Sequence, residues 1–320
     1  MALTLLHPNA LILALAVLLD LLFGDPIYPL HPIRLMGRSL AGIEKALRRI
    51  GADGYTGGVL LFLILSSLWV GGSTTIFCFL NRWKVAGFLF QLFMVYSCLA
   101  LHDLLRHAWA VEVAARESDL EGARAAISRL VGRDTDKMDL AACRRAAIES
   151  LSENLTDGFV SPLVWYVVLG LPGLVLFKVA STMDSMVGYK TPLYLRFGWC
   201  GARSDDLLNY LPARFTWLLL AFVALLLPRA SAGKAIRVGW QQHSILPGPN
   251  SGWSEAATAG AIQRRLIGPI WAKGVLVADI WLGDPNDPPA GDGSDVWHAA
   301  LLIGTSGVLC ASMAVVLSRW

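Results

Sequence analysis

Residues 58–80 run without a charged side chain, and residues 85–101 follow as a second charge-free run after the turn Asn81-Arg82-Trp83-Lys84. A bilayer crossing takes about 20 mostly apolar residues as a helix, because lipid offers the backbone no hydrogen-bond partners. The two runs therefore predict a helical hairpin in a membrane. Composition agrees. Apolar residues make up 55% of 320 positions, charged residues only 16%, and the mean hydropathy is +0.54. Soluble domains carry about 25% charged residues, so this chain lacks the polar surface to dissolve on its own. A net charge of +3 is too small to suggest a nucleic-acid partner, and none is expected.

Further runs extend the pattern. Residues 158–177 are charge-free but hold Gly170-Leu171-Pro172-Gly173 in their middle, which reads as a broken spanning helix or a re-entrant pair of half-helices. Residues 215–227 are short and strongly apolar, between Arg214 and Arg229, and 297–318 form a final span. Residues 10–23 are apolar except for Asp20. A signal peptide is a rival there, but the stretch lacks a basic leader and a small-residue cleavage site, so a retained helix is expected. The expected fold is an all-α polytopic membrane protein. It has about five or six transmembrane or re-entrant helical segments in a single integral membrane domain over 1–320. Polar helical loops are expected at about 24–57, 106–157, 181–212 and 228–296, with the Pro/Gly/Asp-rich 284–295 as an irregular loop.

Five basic residues in 24–57 place that loop in the cytoplasm, and the hairpin returns 106–157 to the same side. Beyond this the orientation depends on whether 158–177 and 215–227 cross. The five cysteines (Cys78, Cys98, Cys143, Cys200, Cys310) are scattered and read as small buried thiols, and the six histidines form no zinc site.

Charged and amide side chains gather at the ends of the apolar runs. Glu149, Glu153 and Asp157 recur at a spacing of four, one face of a helix, with Asn154 beside them. Like charges at that spacing call for a cation, either Mg²⁺ or an amine. A solvated helix face accounts equally for the pattern. Asp184 follows an apolar run, where an ionised carboxylate needs a role or a partner, and Lys190 is the nearest candidate partner. In Arg203-Ser-Asp205-Asp206-Leu-Leu-Asn209…Arg214, the oxygens suit Mg²⁺ on a phosphate and the arginines suit the phosphate itself. A helix start favouring acids is the alternative. Asn250-Ser251-Gly252-Trp253-Ser254-Glu255 is a turn opening a small-residue helix, with Ser251 as N-cap and a possible anion site, or merely a packed turn. Arg34 follows His31-Pro32 and is a substrate-binding candidate or a snorkelling anchor. There is no P-loop, GxGxxG or HExxH motif.

Taken in order, Gly24-Asp-Pro, His31-Pro-Ile-Arg34-Leu-Met-Gly37, Glu149-Ser-Leu-Ser-Glu-Asn154, Asp157-Gly158, Met183-Asp-Ser-Met-Val-Gly-Tyr189, Phe197-Gly-Trp199, Ala202-Arg-Ser-Asp-Asp-Leu-Leu-Asn-Tyr-Leu-Pro-Ala-Arg214 and Pro249-Asn-Ser-Gly-Trp-Ser-Glu255 resemble the CobD/CbiB family. These are the adenosylcobinamide-phosphate synthases of cobalamin biosynthesis, and the resemblance runs from about Leu19 to Gly283. It implies a multi-pass protein of the bacterial inner membrane with its active site toward the cytoplasm. It further implies an ATP- and Mg²⁺-dependent ligase joining a corrinoid, adenosylcobyric acid, to aminopropanol or aminopropanol O-phosphate. Other membrane enzymes of the pathway are the implied protein partners. Two departures stand out: Leu155 where a small polar residue is expected, and a longer acidic loop after Gly283-Asp-Pro.

Such a reaction needs metal ligands, cations for phosphate and a carboxylate base. Residue chemistry assigns Asp205, Asp206 and Asn209 to Mg²⁺, and Arg203, Arg214 and Lys190 to phosphate. Glu149, Glu153 and Asp184 are assigned to the amine, with Arg34, Asn154, Asn250 and Glu255 lining the substrate. The rivals are a transporter of a corrinoid or other small molecule, from the break at 170–173, and an intramembrane prenyltransferase, from the Asp205-Asp206 pair.

Overall fold

The computed structural model describes residues 7–26 and 28–319. The chain is mostly helical, and among the described residues four helices are long and apolar enough to cross a membrane: Tyr55–Leu80, Lys84–Arg116, Leu140–Val187 and Gly293–Leu317. A fifth is counted if the broken pair Trp199–Leu208 and Tyr210–Leu226 forms one span, and Ala10–Phe23 is a shorter apolar helix. It is an all-α polytopic membrane protein. Contacts divide the chain into two compact units. One comprises Met1–Ala100, Ser161–Asn209 and Ala311–Trp320, and the other Leu101–Val160 and Tyr210–Cys310.

In the first unit, α1 (Ala10–Phe23) is capped by Asn9, whose side chain accepts from the Leu11 and Ile12 amides. Helix α2 (Pro32–Arg49) opens with Pro32, where a missing N–H costs nothing, and closes with Arg48 and Arg49 against the negative end of the dipole. Its Met36, Leu40 and Leu47 lie in the core, while Arg34 and Arg38 stay outside. Helices α3 (Tyr55–Ser66) and α4 (Gly72–Leu80) are joined by the π turn Ser67–Gly71, and the sharp turn at 81–83 leads to α5 (Lys84–Tyr96). Leu60, Leu63, Leu68, Ile76 and Phe79 are exposed along the first arm of this hairpin, as a lipid-facing surface requires.

In the second unit, α6 (Leu101–Arg116), α7 (Leu120–Ile127) and α8 (Leu140–Leu155) fill the polar 106–157 stretch. A second π turn, Thr156–Val160, ends this segment. Back in the first unit, α9 (Ser161–Val187) breaks at Gly170, whose φ of 61° and ψ of −150° are open only to glycine. Pro172 then falls in the first turn of the second half, where it is tolerated. Helix α10 (Trp199–Leu208) packs closely on α9. A Cβ on Gly198 would lie 1.7 Å from the Val187 carbonyl oxygen, so only glycine permits the approach.

The second unit continues with α11 (Tyr210–Leu226), α12 (Ala232–Gln242) and α13 (Ser251–Ile262), and ends with most of α14 (Gly293–Leu317). Residues 252–262 of α13 are all buried, mostly small side chains that let neighbours close in. Between α13 and α14 lies a feature absent from the helical expectation for 228–296. It is an antiparallel hairpin of β1 (Leu266–Ala272) and β2 (Val275–Leu282). Lys273 and Gly274 form its two-residue turn, both at positive φ, which matches the twist of the strands. The five cysteines are free; Cys98, Cys143 and Cys310 are buried, and Cys78 and Cys200 are partly so.

Candidate active site

The candidate residues fall into one group in each unit. In the first unit, the close packing of α10 on α9 sets Asp205 in the electrostatic field of Asp184, with Lys178 also acting on it. Asn209 follows α10 and is 1% exposed. Its amide nitrogen donates to Asp205 Oδ2 at 2.9 Å, and its amide oxygen accepts from Ser161 Oγ at 2.5 Å. Both ends of the amide are thus engaged, and Asn209 holds Asp205 in place. Asp206, one residue on, adds its charge to the fields of Asp184 and Asp205 and accepts from Arg203 Nη1 at 3.1 Å. Among the described residues, no three His, Cys, Asp or Glu side chains gather as a metal site. The donor chemistry nonetheless fits a hard cation. Asp184 and Asp205 repel each other, and Mg²⁺ takes one or two carboxylates and completes its shell with water and phosphate oxygens. Lys190 is exposed, and no ion pair joins it to Asp184. Arg34 stands exposed on the first turn of α2.

In the second unit, Glu149, Glu153 and Asp157 meet a fourth carboxyl. Glu255 on α13 is 5% exposed and lies in the fields of all three and of the Arg133 guanidinium. Burial, followed by the neighbouring negative charges, pushes its carboxyl well above the ordinary range. Glu149 is fixed: its Oε2 accepts from Arg133 Nη2 at 2.5 Å and its Oε1 from the Ile267 amide at 2.9 Å. Ile267 has a φ of 72°, a costly conformation for a β-branched residue. Its carbonyl accepts from Arg145 Nε at 3.2 Å, so both sides of the strained residue are tied down. Asn154 turns back onto its own helix, donating to the Ser150 carbonyl at 2.9 Å.

At the start of α13 the cap position is held by Asn250, one residue before the expected Ser251. Arg214 Nη1 reaches Asn250 Oδ1 at 3.4 Å and donates to the Tyr210 carbonyl at 2.6 Å. Its guanidinium lies 5.0 Å from the Trp253 ring, and His243 stacks on that ring at 3.9 Å. Arg214 and Asn250 therefore share an aromatic-walled corner suited to an anion or a flat group.

Sequence reasoning missed Arg133, Ser161 and Lys178. Lys178 had a readable signal, a cation interrupting an apolar run. Arg133 and Ser161 had none, since only folding brings each to its carboxylate or amide.

These features define a class: a polytopic α-helical membrane protein whose buried carboxylates are held by arginines and amides close to the ends of apolar helices. Residues 13–302 match the family model described as CobD/Cbib protein, and the chain belongs to that family. It is 40% identical to the Cobalamin biosynthesis protein CobD of Sinorhizobium sp, over 95% of this chain and 98% of the relative. It is 39% identical to the CobD protein of Pelobacter propionicus, over 88% and 87%, and 37% identical to the Cobalamin biosynthesis protein CbiB of Salmonella choleraesuis, over 84% and 86%. No solved structure matches the chain.

Proposed function

We propose that this protein acts in cobalamin biosynthesis as an amide-forming synthase. It joins adenosylcobyric acid to aminopropanol or aminopropanol O-phosphate, at the expense of ATP, with its active site toward the cytoplasm of a bacterial inner membrane. The observation that carries the reading is Glu255, a buried carboxyl among three carboxylates in a chain whose residues 13–302 match the family.

Each group offers functions that such a reaction needs. The corrinoid carboxylate attacks the terminal phosphorus of ATP, giving an acyl phosphate and ADP. The amine then attacks the acyl carbon, and phosphate leaves. Mg²⁺, where bound, offsets phosphate charge. Asp205 and Asp184 would hold it, with Asp206 nearby and Asn209 fixing the orientation of Asp205. In the first unit Arg203 and the exposed Lys190 and Arg34 offer cations for phosphate, and in the second Arg214 does. An ammonium entering among Glu153, Asp157 and Glu255 replaces mutual repulsion with attraction. Glu255, whose carboxyl is raised by burial and by the neighbouring negative charges, gives up its proton when an ammonium enters beside it and then accepts the amine proton. Glu149 serves as a positioning residue through Arg133 and Ile267. Asn154 and Asn250 border the substrate.

The test is conversion of adenosylcobyric acid, ATP and aminopropanol phosphate to adenosylcobinamide phosphate by membranes containing the protein. Asp205→Asn is nearly isosteric, so abundance should hold while the rate falls on the order of 100-fold, with partial recovery at raised Mg²⁺. A structural carboxylate would cost about 1 kcal/mol of stability or less and leave activity near normal. Corrinoid uptake without product would favour the transporter reading, which the break at Gly170 supports.

A further inference from the structure

A cavity of about 670 Å³ opens in the first unit between α2, the π turn with α4, and α5. None of the proposed chemistry uses it. Its wall is largely apolar, with Arg38, Ser39 and Ser73 as its polar side chains, and Leu68, Ile76 and Phe93 on its lining are 52%, 48% and 37% exposed. These side chains belong to helices long and apolar enough to span a membrane, so this side of the cavity suits a hydrocarbon chain, while Arg38 and Ser39 of the 24–57 stretch line its other side.

Two donors on this lining lack acceptors. The Trp69 indole N–H is buried without a hydrogen-bond partner. Arg38, exposed on α2, makes no ion pair or hydrogen bond among the described residues. A guanidinium free of protein partners at the rim of an apolar cavity is placed to meet an anionic head group at the membrane surface. Trp69 also sits in the π turn Ser67–Gly71, a distortion that recurs at ligand sites and that here places the indole on the cavity wall.

We infer that this cavity is a binding site for one anionic phospholipid of the surrounding bilayer, its acyl chain lying along Leu68, Ile76 and Phe93 and its phosphate meeting Arg38. Both requirements, an apolar body and an acceptor-rich anionic end, are met by that class of molecule, and the apolar side of the cavity fits delivery from the membrane. A zwitterionic lipid fills the apolar wall equally but presents no net charge to the guanidinium.

The test uses the full-length protein in phosphatidylcholine vesicles carrying a photoreactive acyl-chain probe, either phosphatidylglycerol or phosphatidylcholine, with labelled peptides mapped by mass spectrometry. The phosphatidylglycerol probe should label residues 68–76 and 90–94 about fivefold more than the phosphatidylcholine probe. Arg38→Gln should remove that preference, and Arg38→Lys should keep most of it. Gly72 lies on the lining, and a Cβ there meets nothing within 4 Å, so Gly72→Leu should fill the cavity and abolish labelling by both probes while the protein stays folded. Excess glycerol phosphate in the buffer should not compete. Equal labelling by the two probes, a preference that survives Arg38→Gln, labelling unchanged in Gly72→Leu, or competition by soluble phosphate would each overturn the assignment.

Discussion

At the scale of single residues, Glu255 has the most to say. Burial and the charges of Glu153, Glu149 and Asp157 raise its carboxyl well above the ordinary value of 4.5, so the folded protein holds this proton more tightly than the unfolded chain. Between the ordinary value and the raised one, the folded state binds more protons than the unfolded state. Stability from this group is therefore present below the ordinary value and declines as pH rises toward the raised one. Glu255→Gln keeps the shape and removes the titration. We expect normal abundance, a thermal midpoint in detergent that falls less steeply with pH than in the parent, and loss of synthase activity. A parent and variant with the same pH slope would show that Glu255 does not carry the proton. The presence of acids near 149–157 and 205–209 was legible, because helical spacing puts them on common faces. What each acid touches was not. The Asn209–Ser161 bond joins residues 48 apart in sequence, and the Glu149–Ile267 bond joins residues 118 apart. Periodicity carries no information across such distances.

At the scale of elements, the break in α9 was readable as Gly-Leu-Pro-Gly, because each of those residues has a known backbone preference. Gly170→Ala should cost roughly 1–3 kcal/mol, the strain of a Cβ in a region reserved for glycine. It should appear as a lower midpoint for thermal unfolding in detergent; an unchanged midpoint would mean that the backbone adopts another path there. The hairpin of β1 and β2 was hidden. Its first strand carries Gly268 and Pro269, both poor strand residues, and its turn is Lys-Gly rather than the Asn-Gly that marks such turns. The pair is held from outside, by Glu149 at Ile267 and by Arg145 at the same residue. A two-stranded ribbon needs such support, since alone it is marginal in water. The π turns were equally hidden, because one extra residue per turn leaves no mark in apolar spacing.

At the scale of the whole molecule, the membrane class was plain from long charge-free runs, whereas orientation depends on which segments cross. The excess of basic residues in 24–57 predicts that this loop and 106–157 share the cytoplasmic side. Single-cysteine variants in either loop should resist a membrane-impermeant thiol reagent applied from the periplasm, and ready labelling of either would reverse the orientation. The two compact units are interleaved along the chain: the first is completed by Ser161–Asn209 and Ala311–Trp320, the second by Tyr210–Cys310. During synthesis at about 5–20 residues per second, the earliest segments must therefore sit inserted but unfinished for several seconds or more, until their later partners leave the ribosome. No contiguous fragment contains either unit without a piece of the other. Biogenesis of this protein is thus a problem of safekeeping, in which half-built helices with charged side chains wait in the lipid for sequence that has yet to be made.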